Sequence, residues 1–269
     1  MKIKYLLTLS IAISCFSCNQ KSKNEGQEKV EEIVIPQIKF QVIDTLVHDS
    51  TAFVEGLEFA NGDLYESTGS PEQMSETKSL IGIRGKNGKI IEKSVLEKKY
   101  FGEGITILNN KVFQLTYKHQ TGFVYDSKTF KKLKTFDFDN AEGWGMTNDG
   151  KQLIMSDGTY KLTFIDPNTL QKTKELSVTE NGYGKQNLNE LEFVDNFIYA
   201  NIYQTNQIVK INPSLGNIVG VLDFTPMAEY VKRISPKSLE MNGIAYDSKN
   251  KVFYLTGKMW SKIFVIRLI

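Results

Sequence analysis

EGLEFANGDLYEST at residues 55–68 and EGITILNNKVFQLTY at residues 103–117 are two copies of the pattern that decides the fold. Three more copies follow, WGMTNDGKQLIMSDG at residues 144–158, NELEFVDNFIYANIYQ at 189–204 and NGIAYDSKNKVFYLTGK at 242–258. Their first residues are 48, 41, 45 and 53 positions apart. Self-similarity at a period of about 20 to 50 residues is the signature of a repeat architecture, in which each copy forms one structural unit. The chain is therefore predicted to contain five such units.

Each copy has the pattern of a β-hairpin that further strands extend. A short apolar segment reaches a turn of Asn, Asp or Gly, such as Asn61 and Gly62, and a second apolar segment follows. Asn and Gly tolerate the left-handed backbone that tight hairpin turns require. A third and a fourth strand are predicted in the rest of each unit, for example at residues 122–126 and 132–136. Each unit is thus a four-stranded antiparallel sheet.

Five such sheets predict an all-β, five-bladed β-propeller over residues 36–269, because propeller blades have four strands each around a central channel. The last unit contains only three strands, so residues 38–43 are predicted to supply its fourth strand and close the ring. Closure of this kind protects the sheet edges. A short helix is expected at residues 226–232. A β-sandwich or a larger barrel is the alternative, but neither needs a motif repeated at this period.

The N-terminal segment predicts export. Residues 1–18 have a lysine-containing start, an apolar stretch and a final Cys18, as in a secretory signal. The last four residues of this segment, CFSC, resemble a bacterial lipobox, in which Cys18 becomes the lipidated first residue; a plain cleaved signal peptide is the alternative. Polar residues 19–35 would form a flexible tether. We expect the protein in the periplasm or cell envelope, anchored to a membrane by its lipid.

Composition excludes several classes of function. The formal net charge is only +2, with acidic and basic residues interspersed, so no basic surface suited to nucleic acid is expected. Both cysteines, Cys15 and Cys18, lie in the export signal, and an internal disulfide in the mature body is excluded. The two histidines, His48 and His119, lack the cysteine or carboxylate cluster of a zinc site. We therefore expect neither a metal nor a cofactor.

The first residues of the five repeats are the candidate functional residues. The inner strand of each propeller blade lines the axis, so equivalent residues converge there from five directions. These residues are two carboxylates, an indole and two amides: Glu55, Glu103, Trp144, Asn189 and Asn242. Because a buried carboxylate is costly unless it is paired or hydrogen-bonded, two of them facing one axis point to chemistry or ligand binding rather than to packing. Asn242 is as consistent with a structural role as with a functional one.

The repeats are similar to the plant-type glutamine cyclotransferases over nearly the whole chain after residue 35. The matching segments are FVEGL at 53–57, LYESTG at 64–69, EGIT at 103–106, FQLTYK at 113–118, EGWG at 142–145, MSDG at 155–158, NLNELE at 187–192, NIYQT at 201–205, NGIAY at 242–246 and TGKMW at 256–260. That family converts the N-terminal glutamine of peptides or proteins to pyroglutamate and releases ammonia. The resemblance implies a five-bladed propeller and a metal-independent cyclotransferase.

The resemblance also implies the site residues. Glu103, in the Glu-Gly-Ile-Thr motif, corresponds to the catalytic glutamate of the family, and the pocket residues correspond to Phe53, Trp144, Asn189 and Lys258. Glu55 stands where the family has glutamine. Tyr117 and Tyr203 stand where it has tryptophan. These three residues are assigned to substrate binding as well.

A mechanism follows from the chemistry of cyclisation. The α-amine of the substrate attacks its own side-chain amide, and Glu103 would take a proton from the amine and deliver it to the departing nitrogen. Two alternatives remain open. One is a non-catalytic propeller that binds a partner at the cell envelope. The other is a calcium-dependent propeller hydrolase, such as a lactonase or phosphatase, for which the first column has too few carboxylates.

Overall fold

The computed structural model describes residues 34–269 and confirms the five-bladed propeller. The predicted signal at residues 1–18 and all but the end of the predicted tether at 19–35 lie outside this range. Ile35, the last residue of that tether, packs against the core between the third and fourth blades. No helix in the described part of the chain is long and apolar enough to cross a lipid bilayer.

The strands follow in chain order. The first is β1 (Phe40–Val47). Blade 1 contains β2 (Phe53–Ala60), β3 (Asp63–Gly69), β4 (Leu80–Arg84) and β5 (Ile90–Val95). Blade 2 contains β6 (Gly102–Leu108), β7 (Lys111–Thr116), β8 (Thr121–Asp126) and β9 (Lys132–Asp137). Blade 3 contains β10 (Met146–Asn148), β11 (Leu153–Ser156), β12 (Lys161–Ile165) and β13 (Lys172–Ser177).

A two-stranded hairpin, β14 (Thr179–Glu180) and β15 (Tyr183–Gly184), separates the third and fourth blades. Blade 4 contains β16 (Leu188–Val194), β17 (Phe197–Ile202), β18 (Gln207–Ile211) and β19 (Ile218–Asp223). The predicted helix is present as α1 (Thr225–Ile234), with Pro226 in its first turn. Blade 5 contains β20 (Met241–Asp247), β21 (Val252–Gly257), β22 (Lys262–Leu268) and the N-terminal β1.

The N-terminal strand closes the ring, as the incomplete fifth repeat predicted. β1 pairs antiparallel with β22 from Phe40 opposite Leu268 to Val47 opposite Lys262. His48, directly after β1, reinforces the junction of blades 5 and 1. Its Nδ1 lies 2.7 Å from the carbonyl oxygen of Trp260, and its Nε2 lies 2.9 Å from Oε2 of Glu66. Both side chains of this ion pair are fully buried.

Burial follows strand position within a blade. Residues of the inner strands are buried almost throughout, whereas the outer strands β5, β9 and β13 are mostly exposed. The predicted hairpin turns have left-handed backbone at Asn61 (φ 55°) and Gly62 (φ 87°), which suits the twist of the two strands they join. The turn of blade 1 and the burial patterns of blades 1 to 3 therefore agree with the repeat, whereas the outer strand of blade 4, β19, is mostly buried.

The inner strands approach one another so closely that glycine is required between them. A Cβ atom on Gly104 would lie 2.4 Å from the backbone nitrogen of Met146, and one on Gly145 would lie 2.1 Å from the carbonyl oxygen of Asn189. Neighbouring blades thus meet backbone to backbone around the axis. The fourth repeat has Glu190 at this position. Its carboxylate accepts hydrogen bonds from backbone N–H groups of blades 1 and 5, at 3.3 Å and 2.6 Å.

Candidate active site

A cavity of about 360 Å³ opens at the end of the channel where the inner strands begin. Its lining comes from blades 1 to 5: Phe53, Glu55, Pro71, Gln73, Phe101, Glu103, Tyr117, Trp144, Asn189, Tyr203 and Lys258. The structure thus brings together all eight residues that the sequence assigned to a catalytic or substrate-binding role. Those roles remain predictions.

β-Bulges turn the first-column residues toward the cavity. In the inner strands β2, β6, β16 and β20, the pairing register shifts at one equivalent place each: Val54/Gly56, Gly102/Ile105, Leu188/Leu191 and Met241/Ile244. A bulge adds an unpaired residue and re-aims its side chain. Glu55, Glu103 and Asn189 lie in three of these bulges and line the cavity. The repeat position predicted Trp144 on an inner strand, but Trp144 precedes β10 and lies outside it.

Asn242, in the fourth bulge, lies behind the cavity rather than in its lining. Its Nδ2 donates to Oε2 of Glu55 at 3.0 Å and to the carbonyl oxygen of Val54 at 3.2 Å. The expectation that all five first-column residues face one site is therefore wrong for Asn242. Its amide is used to hold Glu55, because a buried carboxylate needs hydrogen-bond donors.

Glu55 and Lys258 form a buried ion pair on the cavity wall. Lys258 Nζ lies 2.7 Å from Oε1 of Glu55, with side-chain exposures of 8% and 2%. Burial raises the pKa of Glu55 to about 6, against the opposing effect of Lys258. Burial acts to lower the pKa of Lys258, but the charges of Glu55 and Glu103 raise it above its usual value. Lys258 therefore stays charged and balances one of the two carboxylates.

Glu103 is the carboxyl group of the site without a hydrogen-bonded partner among the described residues. Burial first, and then the charge of Glu55, hold its pKa well above the usual range, although Lys258 acts to lower it. Its backbone is fixed from behind, since Ser67 Oγ donates to the Glu103 carbonyl oxygen and Gln114 Nε2 donates to Ser67 Oγ at 2.9 Å. Hydrogen bonds thus hold the backbone of Glu103, and its carboxyl group keeps a proton to a higher pH than an ordinary glutamate does.

Aromatic rings form the walls. The rings of Trp144 and Tyr203 meet edge to face with centroids 5.3 Å apart, and those of Phe53 and Phe101 do so at 5.9 Å. Lys258 Nζ lies 4.8 Å from the centroid of Phe53 and 5.3 Å from that of Tyr203, so cation–π contacts tie the ion pair to the walls. Such a wall binds apolar methylene groups and excludes water around the buried polar groups.

Asn189 brings an unsatisfied amide oxygen to the floor. Its Oδ1 is buried without a hydrogen-bond partner in the described part of the chain. Its backbone carbonyl oxygen accepts from Ser156 Oγ at 2.7 Å, which fixes the main chain. Buried polar atoms are nearly always hydrogen-bonded. The free acceptor of Asn189 therefore suits a ligand that donates an N–H group.

Three lining residues were missed at the sequence level. Phe101 lies two residues before Glu103, as Phe53 lies two before Glu55, so extending the repeat alignment upstream would have found it. Pro71 and Gln73 have no counterpart in the other repeats. They belong to the β3–β4 connection at residues 70–79, whereas the equivalent connection in each other blade has four residues. The longer connection places a lip on the cavity.

Within residues 34–269, no group of three or more His, Cys, Asp or Glu side chains is arranged to hold a metal ion. The side chains that line the cavity supply two carboxyl groups, one ammonium, two amides (Asn189 and Gln73) and the aromatic walls. These groups can exchange a proton, hold an amide and bind an apolar chain.

Comparisons with known proteins agree with this geometry. The family model for glutamine cyclotransferase matches residues 8–268. The chain is 36% identical over 232 residues to the glutaminyl-peptide cyclotransferase of Arabidopsis thaliana, covering 86% of this chain and 71% of that protein. It also superposes on the crystal structure of Myxococcus xanthus glutaminyl cyclase with a TM-score of 0.79 at 26% identity, covering 87% of this chain and 98% of that one. The chain belongs to the glutamine cyclotransferase family of enzymes.

Proposed function

We propose that this protein converts the N-terminal glutamine of peptides or proteins to pyroglutamate, with release of ammonia and with Glu103 as the proton carrier. The observation that carries the proposal is a buried carboxyl group with raised pKa, placed beside an unsatisfied amide in an aromatic cavity. Family membership supplies the reaction class. The cavity residues of this chain indicate which groups bind the substrate and which group transfers the proton.

The cavity suits a folded glutaminyl residue. The aromatic walls contact the substrate's methylene groups, and Asn189 on the floor provides an amide for the side-chain carboxamide. Held in this way, the α-amine lies against the carbon it attacks, so the reaction becomes a matter of orientation within one bound residue. The remainder of the peptide leaves through the mouth, past Pro71 and Gln73.

Cyclisation requires one proton to change place. The amine nitrogen forms a bond to the amide carbon, which gives a tetrahedral centre with a positive amine and a negative oxygen. Glu103 donates its proton to the leaving nitrogen and takes one from the attacking nitrogen. The carbon–nitrogen bond to the leaving group then breaks, ammonia departs and Glu103 ends protonated as it began. The Asn189 side-chain N–H and Lys258 are the donors for the oxyanion.

We propose that this reaction needs no metal ion or other cofactor. The carboxylate whose charge acts most strongly on Glu103 is Glu55, and Lys258 already pairs with it at 2.7 Å. Glu55 therefore acts on substrate binding through its pairing with Lys258 and on Glu103 through its charge.

Ammonia release tests the function. Purified protein is incubated with a glutamine-initiated peptide, with and without a chelator, beside the same peptide carrying an acetylated α-amine. We expect chelator-resistant ammonia and pyroglutamyl peptide from the free peptide and none from the acetylated one. Chelator-sensitive release would support a metal enzyme instead. The absence of release from a folded protein would support a binding module and contradict the proposal.

We also propose that Cys18, outside the described residues, carries the lipid that anchors the protein in the periplasm or cell envelope. The support is the CFSC sequence at the end of the export signal. Expression of the full chain and of C18S in a bacterium, with metabolic labelling by a fatty acid and membrane fractionation, tests this. We expect label and membrane association only in the parent chain. Equal labelling or equal membrane association of C18S would contradict it.

A further inference from the structure

Glu142 lies at the edge of the cavity, in the EGWG segment at 142–145, and neither the site assignment nor the mechanism gives it a role. It occupies the position two residues before Trp144. In the blades 1 and 2 the same position holds Phe53 and Phe101, which line the cavity. Side chains two apart on an extended segment point to the same side. The repeat thus places Glu142 beside the cavity, on the side of blade 3.

The carboxylate of Glu142 contacts two cavity walls that belong to different blades. Its Oε2 accepts a hydrogen bond from Nε1 of Trp144 at 2.9 Å. The carboxylate also acts on the hydroxyl of Tyr117, because burial first, and then the charge of Glu142, raise the pKa of Tyr117. The local backbone holds the same three residues together, since the Gly143 N–H donates to the Tyr117 carbonyl oxygen at 3.0 Å.

Besides Glu142, Tyr203 and Gly158 contact the indole of Trp144. Tyr203 meets it edge to face at 5.3 Å. Gly158, with left-handed backbone (φ 79°), packs so closely that a Cβ there would lie 2.7 Å from the indole ring. These contacts restrict the plane of the ring, but the hydrogen bond to Glu142 is the directional contact that fixes where its N–H points.

We propose that Glu142 is a positioning residue that holds Trp144 and Tyr117 in place as the walls that grip the substrate's glutaminyl side chain. This inference rests on the proposed function. It assigns the role to the hydrogen-bonding geometry of Glu142 rather than to its charge. Glutamine can reproduce that geometry, because its oxygen can accept from Trp144 and its amide nitrogen can donate to Tyr117. Alanine can reproduce none of it.

Steady-state kinetics of E142A and E142Q on a glutamine-initiated peptide test the proposal. We expect E142A to lose about 10- to 100-fold in kcat/KM, mainly through a higher KM, the range for lost hydrogen bonds to a charged group. E142Q should stay within about threefold of the parent. Y117F, which removes only one of the two contacts, should fall between them. E229A, at an exposed position of α1, controls for loss of a surface carboxylate and should match the parent.

Fluorine NMR of protein labelled with 5-fluorotryptophan tests the geometry without turnover. The chain has two tryptophans, so the Trp144 resonance is assigned by its loss in W144F. We expect this resonance to shift in E142A and to remain near the parent position in E142Q. Because this measurement needs no substrate, it separates failure of the positioning role from failure of the proposed function. An unshifted resonance in E142A, E142A kinetics within twofold of the parent, or E142Q as impaired as E142A would overturn the proposal.

Discussion

Replacement of Lys258 by methionine should make the stability of the propeller depend steeply on pH. Lys258 Nζ lies 2.7 Å from Oε1 of Glu55, and both side chains are almost fully buried. Methionine keeps most of the stem and removes the charge. Glu55 and Glu103 are then left in one buried site without a cation. Removal of one partner from a buried pair costs about 3–5 kcal/mol, because it leaves an uncompensated charge.

The sign of the pH effect follows from the carboxyl groups. In the parent, burial raises the pKa of Glu55 to about 6 although Lys258 opposes it. Loss of Lys258 removes that opposition and raises this pKa further. A carboxyl group whose pKa is higher in the folded chain than in the unfolded chain, where it is about 4.3, destabilises the fold as pH rises between the two values. We therefore expect a loss of about 3–5 kcal/mol at pH 8. At pH 5, only the lost cation–π contacts should remain, about 0.5–2 kcal/mol.

Urea denaturation of K258M at pH 5, 6, 7 and 8 measures this. The double variant K258M/E55Q should recover most of the loss at pH 8, because the stranded carboxylate is gone. K78M is the matched control, since Lys78 pairs with Glu92 at the surface, where both side chains are about half exposed. It should lose no more than about 1 kcal/mol at any of these pH values. A loss in K258M that is equal at pH 5 and pH 8, or that E55Q does not relieve, would show that the Glu55 charge is not its cause.

Three further predictions concern single carboxylates and the ring closure. E55Q should lower the pKa that Glu103 shows in the pH profile of kcat, because the charge of Glu55 raises it; an unchanged profile would contradict this coupling. In urea denaturation, E190Q should lose about 1–3 kcal/mol of unfolding free energy. Glu190 accepts hydrogen bonds from two backbone N–H groups, and in E190Q one of these groups would face an amide N–H donor. A loss below about 0.5 kcal/mol would contradict that role. Burial acts to lower the pKa of His48, but Glu66, then the hydrogen bond to the Trp260 carbonyl oxygen and then Asp49 outweigh burial and raise this pKa. His48 therefore stabilises the fold below pH about 6.5, and this contribution disappears as pH rises through its raised pKa. E66Q should flatten this dependence in thermal denaturation, and an equal slope in both proteins would contradict it.

The sequence was sufficient to predict the number of blades and the strands within them. Each blade is built from local information: apolar strands, turn residues such as Asn61 and Gly62 that accept left-handed backbone, and a repeat that recurs along the chain. The closing strand was also predictable, because the last repeat has one strand too few. The strand itself lies at Phe40–Val47 rather than at residues 38–43, since pairing with β22 and not local propensity sets its ends.

The details of the site were less predictable because they depend on how blades meet. The bulges that turn Glu55 and Glu103 into the cavity arise from pairing register, which repeat spacing does not encode. The same holds for Asn242, which binds Glu55 instead of facing the cavity, and for Glu190, which bridges two other blades across the axis. Contacts between distant repeats decide these roles. The lip at Pro71 comes from an insertion that a repeat comparison discards.

If Glu103 carries the proton in glutamine cyclisation, E103Q should lose most of its kcat. Glutamine keeps the size of the side chain and cannot exchange the proton. We expect kcat for a glutamine-initiated peptide to fall by about 10²- to 10⁴-fold, the usual contribution of general acid–base catalysis. Urea denaturation should show an intact fold. A folded E103Q that releases ammonia at a rate near that of the parent would exclude Glu103 as the proton carrier.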